Sequence, residues 1–220
     1  MTVQDIMKLL EKTKLDKNFI LTCNDIEDKV EEPLLREGLN FYWAEGASKY
    51  VIIPEKMDKD LVIKIPYSGV IDSFGEYEEF CGAISDTCAF DWDYCKVECD
   101  IFQKAKERDL EMCFAKTELI GTIKGYPIYA QEKAVIWENI HNYEDYDERE
   151  RDEIEEKTRS SGHRCFNSAW LLDFLDYYGE EIFNMFLDFI DDMCIDDLHS
   201  GNIGYINDRP VLVDYSDFNR

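Results

Sequence analysis

Strand-type and helix-type patterns are segregated along this chain, and that segregation constrains its fold more than any other feature. Aromatic and β-branched runs gather between Phe41 and Gln131. "LNFYWAEGASKYVIIP" reads as strand, turn, strand about one glycine, and "LVIKIPY" is a short strand with a lysine in its middle. "CFAKTELIGTIKGYPIYAQEKAV" reads as a hairpin turning at Lys124 and Gly125, with Pro127 starting the return strand. Helical spacing marks residues 3–12 and 25–37, the second interrupted by Pro33, and residues 92–108. It returns in "NSAWLLDFLDYYG", capped by Asn167 or Ser168 and ended at Gly179, and in "EEIFNMFLDFIDDM", where Ile182, Phe183, Phe186, Leu187, Ile190 and Met193 form an apolar stripe. Strand runs concentrated between Phe41 and Gln131, with helical patterns mostly before and after them, predict an α+β fold. The expected organisation is a helical preface over 1–40, a mainly β lobe over 41–131 and a short, mainly α lobe over 132–220.

At 220 residues with 45% hydrophobic content the chain can bury a sizeable core, so its acidity is laid on a folded protein. The acidity is large: 24 Lys and Arg stand against 49 Asp and Glu, a formal charge of −25. A charge of that sign disfavours phosphate backbones and anionic membrane surfaces, and it favours basic partners and Mg²⁺. No apolar run approaches the roughly 18 to 20 residues of a spanning helix, and the amino end has no signal-like segment, which together predict a cytoplasmic location. Eight cysteines include a cluster at Cys81, Cys88, Cys95 and Cys99, but no C-x-x-C spacing suggests zinc, and free or buried thiols are expected. From Glu144 to Glu156 nine acids face two arginines, read as a solvated helix or connection.

The chemistry gathers around "CIDDLHSGNIG", residues 194–204, followed by "VLVDYSDF". Each polar residue has a plain explanation taken alone. Lys64 can point to solvent from an alternating strand, Asp197 and His199 can bond a turn, and Asp214 can end a strand. Their order is harder to explain plainly. A glycine turn between strands, a strand lysine, an acid on the next helix, a D-x-x-x-x-N loop and a hairpin ending in Asp form the part list for phosphoryl transfer from ATP. Backbone N–H groups at Gly46, Ala47 and Ser48 would cradle phosphates, Lys64 would reach the α and β oxygens, and Glu98 would hold Lys64. Asn202 and Asp214 would supply oxygens to Mg²⁺, and Asp197 would take the acceptor's proton.

On these residues the sequence resembles the protein-kinase-like superfamily. "DDLHSGNIG" is similar to the H-G-D-L-H-x-G-N loop of the aminoglycoside and choline phosphotransferase branch, and "VLVDYSDF" is similar to the strand that ends in its metal-binding Asp. The abrupt end, six residues after Asp214, resembles compact bacterial and phage kinase-like proteins. The resemblance implies a two-lobed fold with ATP at the junction of the lobes and adenine against backbone at Gln131, Glu132, Lys133 and Ala134. It also implies transfer of the γ-phosphoryl group to a hydroxyl of a protein or small molecule. Register selects Asp197 over Asp196 as the catalytic Asp, and gives His199 a role in ordering the loop or approaching the phosphate. The sequence departs from the family in having one glycine in its turn and Ile195 where a His is usual. It also separates Lys64 from Glu98 by 33 residues, so that Glu76, Glu78 and Glu79 are rival partners. With no activation segment or helical platform after Asp214, the acceptor is expected on the amino-terminal helices, the acidic connection or a partner. Two other readings are a catalytically weak or inactive kinase-like module that acts by binding a partner protein, and an acidic decoy for a basic protein.

Overall fold

The computed structural model describes residues 1–46, 48–71, 77–79, 93–141, 149, 170–195 and 197–216, with side chains left undescribed at 70, 71 and 77–79. Ala47, Glu76, Cys81, Cys88, Asn167, Ser168, Asp196 and all of the 144–156 run except Arg149 lie outside them, as do the side chains of Glu78 and Glu79. The fold is α+β, and its sheets are built from antiparallel pairs. The chain divides into two compact units, the first made of Met1–Cys99 with Thr117–Glu132 and the second of Asp100–Lys116 with Lys133–Arg220. No helix among the described residues is long and apolar enough to cross a membrane.

The first unit is a five-stranded sheet in the order β1-β2-β3-β7-β6. Its strands are β1 Phe41–Glu45, β2 Lys49–Pro54, β3 Leu61–Pro66, β6 Thr117–Ile123 and β7 Tyr126–Glu132. A separate small pair, β4 Gly69–Ile71 and β5 Tyr77–Glu79, was not read in the sequence. The β6–β7 turn is where the sequence puts it: Lys124 and Gly125 both have positive φ (48° and 82°), the geometry that matches the twist of a two-residue hairpin.

Alternation along the strands gives the sheet two different faces. Tyr50, Ile52, Ile63, Ile65, Tyr126, Ile128 and Ala130 lie on one of them, in a core shared with Ile6, Leu10, Leu15, Leu21, Val30 and Leu34. The amino-terminal helices thus pack in the same core as the sheet. Burying each such side chain contributes about 1.5–3 kcal/mol.

Helix α1, Val3–Leu10, starts at a capping box formed by Thr2 and Asp5. The second helical stretch is not interrupted at Pro33, contrary to the sequence reading. A π-helical turn over Glu27–Glu31 runs into α2, Glu32–Arg36, and Pro33 occupies its first turn, where a missing N–H costs least. The Lys29 carbonyl, which Pro33 cannot serve, accepts from Lys14 N at 2.9 Å.

Helix α3, Tyr94–Glu107, belongs to the first unit up to Cys99 and to the second from Asp100. The second unit also holds a three-stranded sheet, β10-β9-β8, from β8 Val135–Ile136, β9 Ile203–Ile206 and β10 Arg209–Leu212. β9 and β10 turn at Asn207 and Asp208, again both at positive φ. Helix α4, Trp170–Met193, is two helices joined at Gly179, whose φ of 77° and ψ of 166° suit glycine alone. Its buried Phe186 and Phe189 pack on Phe114, which also meets Tyr215 edge-on at 5.0 Å.

Candidate functional site

The face of the first sheet opposite its apolar core carries a buried polar cluster. Register places its residues: Lys49 stands opposite Pro66 and Val51 opposite Lys64 on β2 and β3, so the two lysines are diagonal neighbours on one face. Lys64 is opposite Tyr129 on β7, and Gln131 is opposite Thr117 on β6. Onto this face α3 brings Glu98, which is completely buried.

Lys64, 3% exposed, donates through Nζ to both carboxylate oxygens of Glu98 at 2.9 Å. The pair that the sequence assigned to Lys64 and Glu98 is therefore formed. The same carboxylate takes three further donors: Lys49 Nζ to Oε1 at 2.7 Å, Thr117 Oγ1 to Oε2 at 2.7 Å and Gln131 Nε2 to Oε2 at 3.4 Å. Gln131 also donates to Thr117 Oγ1 at 2.8 Å. A buried carboxylate needs this much; stripped of its cations it would carry a large desolvation cost.

Asp93 fixes the start of α3. Its Oδ1 accepts from Lys96 N at 3.1 Å, and its Oδ2 accepts from the Tyr129 hydroxyl at 2.5 Å. Burial pushes its carboxyl up to about 6, against the downward pull of those hydrogen bonds. The helix that carries Glu98 is thereby tied at its first turn to the strand facing Lys64.

In the second unit, Cys194 has positive φ (54°), and the loop after it closes in a 3₁₀ turn at Ser200–Asn202. His199 is exposed, and its Nδ1 accepts from Gly201 N at 3.1 Å within the turn; its Nε2 lies 3.7 Å from Asp197 Oδ1. Asn202 is buried and gives its side-chain NH₂ to Asp197, to the carbonyl at 2.8 Å and to Oδ2 at 3.3 Å. Its side-chain oxygen is then the atom a cation would take. Val213 N donates to the Asn202 carbonyl at 2.9 Å, which sets Asp214, the next residue, beside the loop. Asp214 is half-buried and accepts from Ser216 Oγ at 3.3 Å. Ser200 Oγ donates to Glu138 Oε2 at 3.1 Å, anchoring the loop to the 3₁₀ turn Trp137–Asn139.

These contacts bring Lys64 to Glu98 in the first unit and join Asp197, His199 and Asn202 in the second, with Asp214 following Val213, whose N–H meets the Asn202 carbonyl. Gly46 is exposed in the β1–β2 turn, its N–H donating to the Lys49 carbonyl at 3.1 Å, while Ser48 is buried. Gln131 and Glu132 end β7, and Lys133 and Ala134 follow outside any strand. Among the described residues no three His, Cys, Asp or Glu side chains are gathered for a metal. An amide oxygen and one carboxylate nonetheless suit Mg²⁺, which keeps several waters and takes substrate phosphates alongside few protein ligands.

Lys49, Thr117 and Asp93 were missed in the sequence. Thr117 and Gln131 carried one available signal, since polar residues at those strand positions lie on the same face as Lys64. No protein-family model matches the chain, and no curated protein or solved structure matches it either.

Proposed function

We propose that the chain is an ATP- and Mg²⁺-dependent phosphotransferase of protein-kinase-like architecture, acting on a hydroxyl of a protein or small molecule. The observation that carries this reading is the buried Lys64–Glu98 ion pair between a central strand and a helix. A lysine ammonium sequestered in this way and held by a carboxylate is positioned to meet phosphate oxygens. The Asp197–Asn202 loop supports it from the second unit.

In the proposed reaction Lys64 holds the α and β phosphates. Asn202 and Asp214 would hold Mg²⁺, which when bound would neutralise charge on the phosphates. Asp197 accepts the proton of the acceptor hydroxyl as its oxygen bonds to the γ-phosphorus and the bond to the β-phosphate oxygen breaks. Asn202 orients Asp197 through the two hydrogen bonds described above.

The test is calorimetric titration with ATP and Mg²⁺, followed by incubation with γ-labelled ATP and a cell lysate. Saturable binding and label transferred to an acceptor are expected. Binding without transfer would select the inactive module, and no binding would overturn the nucleotide reading altogether.

A further inference from the structure

The Asp197–Asn202 loop is braced from outside by a carboxylate that the phosphotransferase reading does not use. Asp173, half-buried on the first half of α4, accepts through Oδ2 from two donors on different elements, Trp137 Nε1 at 2.7 Å and the Tyr205 hydroxyl at 2.6 Å. Trp137 opens the 3₁₀ turn whose next residue, Glu138, accepts from Ser200 Oγ, and Tyr205 lies on β9, just beyond Asn202. One carboxylate oxygen thus ties the turn that anchors the loop to the strand that leaves it. The two stretches fit closely. Val135 stands opposite Tyr205 and Ile136 opposite Gly204, where a Cβ would come within 2.7 Å of the Val135 carbonyl oxygen; a Cβ on Gly201 would lie 3.6 Å from Glu138 Oε1. Trp137 is buried, and His141 stacks on its indole with the rings 4.9 Å apart and its Nε2 3.4 Å from the Tyr205 hydroxyl. Loss of Asp173 would strip the buried indole N–H of its acceptor, and the turn could recover one only by moving, taking Glu138 with it.

We propose that Asp173 is a positioning residue for phosphoryl transfer: by holding Trp137 and Tyr205 at once it fixes the Asp197–Asn202 loop in the geometry the reaction needs, without itself meeting nucleotide or acceptor. This rests on the reading above and adds to it a support on α4. All of the contacts involved lie within the second unit.

The experiment compares Asp173→Ala, the pair Trp137→Phe with Tyr205→Phe, and the triple variant, each in the full chain, by turnover of labelled ATP and by native-state hydrogen exchange. Asp173→Ala is expected to lower kcat by roughly 10- to 100-fold, the scale of a displacement near 1 Å. It should also speed exchange at Asn202 N and Val213 N, which donate to the His199 and Asn202 carbonyls, while Phe186 and Phe189 in α4 stay protected as before. The paired variant removes both donors and keeps both rings, so it should reproduce these changes, and adding Asp173→Ala to it should cost less than about twofold more. Asp173→Asn, whose amide oxygen can still accept, is expected to restore most of the rate. A further large loss in the triple variant would mean that Asp173 meets substrate, and faster exchange along α4 as well as in the loop would mean that it only holds the fold; either result overturns the proposal, as does a fully active Asp173→Ala. Absence of transfer by the unsubstituted chain would instead overturn the phosphotransferase reading, and the role in transfer with it. Should Asp173→Ala fail to fold, Trp137→Phe and Tyr205→Phe taken singly decide: each should lower kcat and loosen the Asn202 and Val213 amides, and full rates in both would refute the assignment.

Discussion

Asp93 offers a perturbation whose size follows from the structure. Its carboxyl is buried and sits at about 6 rather than the ordinary 3.8, so between those values the folded chain holds a proton that the unfolded chain has lost. The stability this group contributes is complete below pH 3.8 and is lost as pH rises through 6. At 1.36 kcal/mol per tenfold change in proton affinity, the ionised carboxylate costs about 3 kcal/mol at pH 8 and about half of that at pH 5. Asp93→Asn removes the charge and keeps the shape. The amide oxygen can still accept from Lys96 N, and the amide NH₂ can donate to the Tyr129 hydroxyl, which accepts as readily as it donates. The variant should therefore be more stable than the parent by about 3 kcal/mol at pH 8, with the gain shrinking to about half at pH 5. Urea unfolding from pH 5 to 8, followed by the fluorescence of the four tryptophans, measures the difference directly. Because it compares two chains at each pH, the titration of the other acidic groups cancels. A gain that does not vary with pH, or a loss at pH 8, would refute the argument that burial of this carboxyl is what raises it.

Asp197→Ala should keep ATP and Mg²⁺ binding but lower turnover by roughly 10²- to 10⁴-fold, as measured with labelled ATP; Asp196→Ala serves as the register control, and a larger loss there would displace Asp197. Asp214→Asn should abolish the Mg²⁺-dependent part of nucleotide affinity in calorimetry while leaving thermal stability without ligand unchanged. Gly179→Ala should destabilise by about 1–3 kcal/mol in urea unfolding, because a Cβ there meets nothing within 4 Å and the cost is backbone strain alone.

What the sequence disclosed follows from how locally each feature is encoded. The β1–β2 and β6–β7 hairpins, helix α3 and the break at Gly179 all depend on a few neighbouring residues, and each is where the patterns place it. Pro33 misled because a proline in the first turn of a helix and a proline that ends one look alike without knowing where the preceding π turn stops. The β8 strand is two residues long, too short for any period. In the site, Lys64 stood out as a charge within an apolar strand. Lys49 did not, since a lysine just after a turn normally lies in solvent, and its burial depends on α3 covering the second face of the sheet. The choice of Glu98 over other acids needed the same knowledge, because the sequence cannot state which helix residue a distant strand will meet.

The chain's path between its units bears on how the protein can be made. β3 is complete at Pro66, yet its neighbour in the sheet is β7, which begins only at Tyr126, after Asp100–Lys116 has been contributed to the other unit. During synthesis β3 therefore waits as an open edge, rich in β-branched residues, until some sixty further residues have emerged. That is the state in which strands pair with the wrong neighbour. A fragment cut after Cys99 would keep that edge permanently, since it lacks both β6 and β7, and should aggregate rather than fold. Neither unit can be obtained by a single cut, and a shortened form of the first would have to rejoin Cys99 to Thr117 through a designed linker.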